Sequence, residues 1–392
     1  MQKHLRVLEV VDSYLPRNEN WIYRLISNLP ETDVVIASER FLKCNFYAAN
    51  FSYLEFPLKW IETNDNTLLE RIFNRLVSGV VVTLYAPYVR KHAGKIDLIH
   101  SHFAFTGWHY LRLARKLKIP HIVSFYGYDY ENVPFTHPKW KKRYEGLFSK
   151  ADLFLCEGSF GAGVLQEMGC PRNKIAIQKL GVDVDSIPFF EREKSSEQLD
   201  LLQIAALTGK KGHIDTIKAF ARALDSCPNM SLTIVGNDLD GIKAQIQTII
   251  HQCHIEKKVT FIDYVGFDHL HAFMKGFHVF IHPSHYTPTR DCEGGAPVVL
   301  LDAQATGMPV IATTHCDIPS TVIQNETGLL TPEKDVRGLA NSIKYFYELD
   351  STNYRTFCVK ARRHIQHNFD CKQNAADLKK VYDRCFQEQQ TA

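Results

Sequence analysis

The sequence predicts an α/β chain of two doubly wound domains whose parallel sheets face one another across a cleft. Three observations carry this reading. Short β-rich apolar runs alternate with helical patterns along the whole chain, a polar stretch at 191–200 divides the alternation into two series, and 392 residues exceed what one hydrophobic core usually organises.

The first series has strand-like runs at 5–11, 33–37, 98–100, 121–125, 153–156 and 174–179, with helical patterns at 21–29, 108–117, 139–148 and 160–168 between them. After the divide, runs at 202–207, 231–235, 259–262, 279–282, 309–312 and 328–330 repeat the scheme. The expected domains are therefore 1–190 and 201–372, joined by a linker at 191–200 and closed by a helix at 373–392 that can pack back on the first domain. In open parallel sheets, ligands bind beyond the carboxyl ends of the strands, so the cleft is the expected site.

Composition narrows the function. Hydrophobic residues at 45% and charged residues at 23% belong to an ordinary soluble globular protein and exclude a disordered chain. A net charge of +3 carries no nucleic-acid footprint, although residues 1–195 hold 26 basic against 21 acidic side chains. Ten cysteines and 18 histidines are scattered without a C-x-x-C pair, so neither a disulfide framework nor a metal site is expected. Scattered thiols and the lack of a secretory pattern at the start suit the cytoplasm. The apolar stretch 76–89 is broken by Ser78, Gly79 and Pro87 and is too short to span a bilayer.

The most informative stretch is 290–309. Gly294 and Gly295 permit backbone conformations that bulkier residues resist, and Pro297 suits the first position of a helix. The N–H groups of that helix's first turn, from Ala296 and Val298 onward, then form an anion site suited to a diphosphate. Asp302 falls on the same helix face as Val298 and Val299, where a carboxylate can accept from ribose hydroxyls. Glu293, just ahead of the turn, can touch whatever the diphosphate carries.

The run Glu293-Gly-Gly-Ala-Pro-Val-Val-Leu-Leu-Asp302 resembles the donor motif of the retaining glycosyltransferases called family 4, or group 1. It differs in having Asp as the second acid and an interval one residue longer, as in a subgroup associated with exopolysaccharide and lipopolysaccharide assembly. Similar residues at His282-Pro-Ser284, Val235-Gly236, Gly181-Val-Asp183, 317–322 and 325–332 extend the resemblance over nearly the whole chain. It implies two Rossmann-like domains of the GT-B type, a UDP- or GDP-sugar as substrate, and no further cofactor.

The basic loop Thr208-Gly-Lys-Lys-Gly-His213 follows a strand. Read alone, its lysines are solvated surface charge. The resemblance implies that Lys211, beside Gly212, faces the leaving diphosphate; the family's Arg position holds Ala206, which Arg290, Lys210 or His213 could replace. Asp183/Asp185 and Asp238/Asp240 form Asp-x-Asp pairs, but the fold neutralises its leaving group with helix and basic residues, and no metal is expected.

On the acceptor side, Arg17 and Glu19 lie in a loop after the first strand that reads equally as a capped loop entering a helix. Ser124-Phe-Tyr126-Gly127-Tyr-Asp129 resembles the family's Phe-His-Gly-x-Asp segment near the transferred sugar, with Tyr126 at the His position and His102 as a candidate substitute. A strand-end histidine can equally be structural. Lys139, Lys141, Lys142 and Arg143 beside Trp140 and Tyr144, together with 71–95, form either a patch for the inner membrane face or a solvated helix face.

The resulting expectation is a metal-independent hexosyl transfer with retention to a saccharide or lipid-linked saccharide in surface polysaccharide biosynthesis. The alternatives are a catalytically silent subunit that binds a glycan or a partner transferase, and a nucleotide-sugar epimerase or phosphorylase of the same architecture.

Overall fold

The computed structural model describes residues 4–14, 20–41, 51–55, 68–195 and 197–391. The chain divides into two compact units, one of Met1–Leu180 with Cys371–Ala392 and one of Gly181–Asp370.

The first unit holds strands β1 (Leu5–Tyr14), β2 (Thr32–Phe41), β3 (Ser52–Glu55), β4 (Leu98–His102), β5 (His121–Ser124), β6 (Leu153–Cys156) and β7 (Ile175–Ile177). They form a parallel sheet of order β3-β2-β1-β4-β5-β6-β7. β1 is buried on both faces, as a central parallel strand covered by helices requires. Its helices are α1 (Asn20–Ile26), α2 (Leu68–Ala93), α3 (Ala104–Leu117), α4 (Val133–Thr136), α5 (Lys139–Lys150) and α6 (Ser159–Glu167). The C-terminal helix, Cys371–Thr391, belongs to this unit: Ala375, Leu378, Tyr382 and Cys385 share one face and pack with Leu5, Val7, Leu98 and Ile122.

The second unit holds β8 (Leu199–Ile204), β9 (Met230–Val235), β10 (Val259–Ile262), β11 (Val279–His282), β12 (Val310–Thr313) and β13 (Gly328–Thr331), a parallel sheet of order β10-β9-β8-β11-β12-β13. Helices α7 (His213–Leu224), α8 (Lys243–Gln252), α9 (Phe267–Met274), α10 (Val298–Ala305), α11 (Ile318–Thr321), α12 (Val336–Glu348) and α13 (Ser351–Asn368) surround it. Both sheets reverse their strand order once, beside β1 in the first and beside β8 in the second. The strand ends at these switch points are where such sheets bind ligands.

Several expectations change. β8 starts three residues earlier than the run 202–207, because Leu199 pairs with Met230 while Leu207 makes only an isolated bridge to Asp238. β3 is an addition, and the apolar stretch 76–89 lies inside the long helix α2, which contains Pro87. Among the described residues, no helix is long and apolar enough to cross a membrane.

The division falls at Leu180 instead of 190, and residues 191–195 are tied into the second unit. Val182, Val184 and Ile187 pack against Leu301, Ala305 and Phe369. Arg192 donates to the carbonyls of Met274, Phe277 and Thr306, and Lys194 to those of Tyr347 and Leu349. These bonds anchor a segment whose polarity alone suggested solvent.

The aromatic and basic patch on α5 also reads differently. Trp140 and Tyr144 point into the core and Arg143 is buried with its guanidinium 4.7 Å from the Trp140 ring, so only Lys141 and Lys142 of that group are exposed.

Candidate functional site

In the second unit, the chain leaving β8 turns back at Gly212 before α7. Gly212 has φ 67°, and a Cβ there would lie 2.0 Å from the carbonyl oxygen of Pro283, just past β11. Only glycine permits this approach. The neighbouring Lys211 thereby reaches Glu293: its Nζ lies 2.6 Å from Glu293 Oε2, with the side chains 18% and 6% exposed. Ser284 Oγ donates to Oε1 at 2.7 Å, and His282 Nε2 stands 3.6 Å from the same oxygen.

Burial pushes the Glu293 pKa upward, but Lys211, His282 and Lys210 together hold it well below the usual carboxylate range. The carboxylate is therefore ionised at neutral pH, while burial keeps His282 neutral by lowering its pKa.

Of the three groups considered in place of the missing Arg, Lys210 joins this cluster. Its Nζ donates to Asp291 Oδ1 and to the Cys292 carbonyl, each at 3.0 Å. His213 is buried and its pKa falls to about 3 through desolvation, so it carries no charge. Arg290 takes φ 59° and sets its guanidinium 5.8 Å from the Tyr286 ring.

Gly294 takes φ 77°, and the Gly295 N–H donates to the Glu293 carbonyl at 3.0 Å. Pro297 is the residue before the first turn of α10, one position earlier than expected, because its ψ of 124° is still extended. Ala296 is half-buried and Val298 opens the helix.

Asp302, expected to lie open to ribose, is 3% exposed and shares Oδ1 with His271 Nε2 of α9 at 2.9 Å. His271 carries no motif signal, and its proximity comes from α9 packing beside α10. The carboxylates of the Asp238/Asp240 pair serve loops: Asp238 accepts the N–H groups of Ile242 and Lys243 at the start of α8, and Asp240 that of Gly209.

His315 and Glu333 hold the Glu293 backbone. Its N–H donates to His315 Nε2 at 3.1 Å, and His315 Nδ1 meets Glu333 Oε1 at 2.7 Å.

In the first unit, the switch point holds a buried polar chain that begins with Glu9, which sequence reading missed. Register sets Glu9 beside His100 across β1 and β4. Glu9 Oε2 lies 3.1 Å from His102 Nε2, and Tyr382 of the C-terminal helix donates to Oε1 at 2.8 Å. His102 Nδ1 meets the Tyr126 hydroxyl at 2.6 Å, and the two rings stack 13° from parallel.

The neighbouring histidines set the proton positions. Burial raises the Glu9 pKa, but His100 and His102 outweigh it and bring it to about 2, while burial and His100 bring that of His102 down to about 4. The ionised Glu9 can only accept, so His102 carries its proton on Nε2 and its Nδ1 accepts from Tyr126. The Tyr126 oxygen accepts in turn, with the Ser124 hydroxyl already among its donors.

His102 and Asp129 are both fully buried. Asp129 accepts the N–H groups of Ala104 and Tyr126 at 2.7 and 2.9 Å, and so ties the turn after β5 to the start of α3. Burial raises its pKa to about 7 in spite of those bonds. Gly127, at φ 81°, makes the turn that follows Tyr126. Arg17 and Glu19 lie outside the described residues.

Two Rossmann-like units with polar clusters at both strand-order reversals have the architecture of GT-B glycosyltransferases. Solved structures with this fold include a glycosyltransferase of Rickettsia africae ESF-5, with a TM-score of 0.76 at 17% identity over 98% of this chain and 99% of that one. Another is Anabaena HepE in complex with UDP and glucose, at 0.72 and 14% over 96% and 99%.

Residues 186–364 match the family "Glycosyl transferases group 1", and residues 66–186 match "Glycosyltransferase Family 4". WcaL of Escherichia coli (strain K12), named for colanic acid biosynthesis, is 31% identical over 299 residues, covering 76% of this chain and 71% of its own. The chain belongs to the group 1 glycosyltransferases, and within them to the exopolysaccharide type.

Proposed function

We propose that the chain transfers a sugar, with retention at the anomeric carbon, from a UDP- or GDP-sugar to a saccharide or lipid-linked saccharide in surface polysaccharide biosynthesis. The observation that carries this is the half-buried Lys211 past β8 paired with the buried carboxylate of Glu293 past β11, immediately before two glycines and the start of α10. A cation and a helix start suit a departing diphosphate, and a carboxylate held beside them suits the hydroxyls of the attached sugar. HepE, which shares the fold, is known in complex with UDP and glucose.

In this reading Lys211 and Lys210 take up the charge of the leaving group, together with the N–H groups following Gly294 and Gly295. Glu293 positions the transferred sugar, and the buried Asp302 serves the ribose side only indirectly, by holding His271. Tyr126, backed by His102 and Glu9, offers its oxygen to a donor hydroxyl. The leaving phosphate takes the acceptor proton, so no protein nucleophile is needed.

Thermal unfolding in UDP and in GDP tests the donor assignment. A ligand at 100 times its Kd stabilises by about 2.7 kcal/mol. The expected result is a rise in Tm with one nucleotide that Lys211→Ala abolishes; no rise with either at millimolar concentration would overturn the reading.

A membrane-associated acceptor is supported by α2, where Leu69, Leu76, Val80 and Leu84 are exposed and Arg90 and Lys91 occupy the last turn. Leu76, Val80 and Leu84 recur every four residues and share one helix face. Replacing these three by Glu is expected to abolish co-sedimentation with anionic vesicles. Unchanged co-sedimentation would refute a role for this face.

A further inference from the structure

Sequence spacing concealed one cluster. Cys292, on the loop after β11, and His315 and Cys316, on the loop after β12, bring two sulfurs and one imidazole nitrogen to within 4.8 Å of one another. Cys292 and His315 are buried, and Cys316 is partly exposed.

The proton positions favour a metal. His315 Nδ1 lies 2.7 Å from Glu333 Oε1, a carboxylate that also accepts the Tyr286 N–H at 3.0 Å. The carboxylate fixes the proton on Nδ1, so Nε2 presents a lone pair. Cys316 Sγ stands 3.2 Å from that nitrogen, and Cys316 holds a φ of 47°, a conformation few side chains adopt. A carboxylate behind a histidine whose other nitrogen faces two thiols is the arrangement that orients imidazole ligands in zinc sites.

The other histidine cluster, Glu9 with His100 and His102, differs. It offers no sulfur to a thiophilic ion, and its four ring nitrogens already meet Glu9, Tyr382, Tyr126 and Ser124.

We propose that Cys292, His315 and Cys316 form a binding site for a thiophilic divalent cation of the zinc type. Two S–H bonds break and release two protons to solvent, while two metal–sulfur bonds and one metal–nitrogen bond form. Three protein ligands leave a tetrahedral ion one open position, which water can fill. The same Nε2 lone pair now accepts from the Glu293 N–H at 3.1 Å. Ion binding and that hydrogen bond are therefore mutually exclusive, and the cation would loosen the backbone that carries Glu293. Sulfur and imidazole ligands favour zinc-type ions over magnesium, which separates this site from any metal held by phosphates.

Titration of the full reduced chain with Co²⁺ tests the proposal. The expected result is a 1:1 thiolate-to-cobalt charge-transfer band that Zn²⁺ displaces, that Cys316→Ser removes and that Glu333→Gln shifts to about 10- to 100-fold weaker binding. No charge-transfer band, or an equal band in Cys316→Ser, would overturn the site. Should Cys316→Ser fail to fold, alkylation of the wild-type chain decides. Zn²⁺ is expected to shield Cys316 while the exposed Cys253 labels at an unchanged rate; equal labelling of Cys316 with and without Zn²⁺ contradicts the proposal.

Discussion

Replacing Lys211 by Met strips the cation from a carboxylate that remains buried. At the observed 2.6 Å, two unit charges attract by about 6 kcal/mol at an effective dielectric of 20. Part of that gain offsets the desolvation of the ammonium itself, and Ser284 and Lys210 still support Glu293 in the variant. The expected loss of stability is therefore at the lower end for a broken buried pair, about 3 kcal/mol.

Its pH dependence has a definite sign. In the wild type the lowered Glu293 pKa contributes stability above the ordinary carboxylate pKa, and this is lost on acidification. In Lys211→Met, burial acts with less opposition and raises that pKa, so the variant gains on the wild type as pH falls. Adding Glu293→Gln to Lys211→Met removes the stranded charge and is expected to recover all but about 1 kcal/mol. All four tryptophans, at 21, 60, 108 and 140, precede the second unit, so their fluorescence serves as a control for the first. Amide hydrogen exchange across 181–370 reads the effect itself. A loss below about 0.5 kcal/mol in Lys211→Met, or a double variant no more stable than the single one, would refute the reasoning.

Two further predictions concern the first unit, both read by tryptophan fluorescence during denaturation. Tyr126→Phe leaves His102 Nδ1 buried without its donor and is expected to cost about 1–3 kcal/mol; a neutral substitution would show that the hydroxyl does not serve His102. Asp129, with its pKa raised to about 7, stabilises the fold below its ordinary pKa and loses that contribution as pH rises from about 4 to about 7. Asp129→Asn should therefore gain on the wild type over that interval, by at most about 4 kcal/mol; parallel curves would contradict the assignment. His102 acts with the opposite sign, losing stability as pH falls from 6.5 toward about 4, but it is present in both proteins and cancels from the difference.

The parts legible in the sequence were those set by local pattern. Apolar runs flanked by turns marked most strands, and the glycines, Pro297 and Glu293 marked the loop that forms the cluster in the second unit. What stayed hidden depended on pairing across the fold. Glu9 interrupts an apolar run and reads as an isolated charge until β4 and the C-terminal helix bring His102 and Tyr382 to it. Asp302 has the helical position expected of it, yet its orientation is decided by His271 on a different helix. Asp129 sits in a recognisable segment, but only the structure shows its carboxylate turned inward to two backbone N–H groups. Helix α2 was obscured by Gly79 and Pro87, which it accommodates.

The most direct test of sugar transfer at the Lys211 and Glu293 cluster is release of UDP or GDP from a panel of sugar nucleotides, measured with glycan-lipid acceptors for the wild type, Lys211→Ala and Glu293→Gln. Acceptor-dependent release by the wild type, falling about 10²- to 10³-fold in each variant while both stay folded, is the predicted result. Wild-type turnover in both folded variants would contradict it.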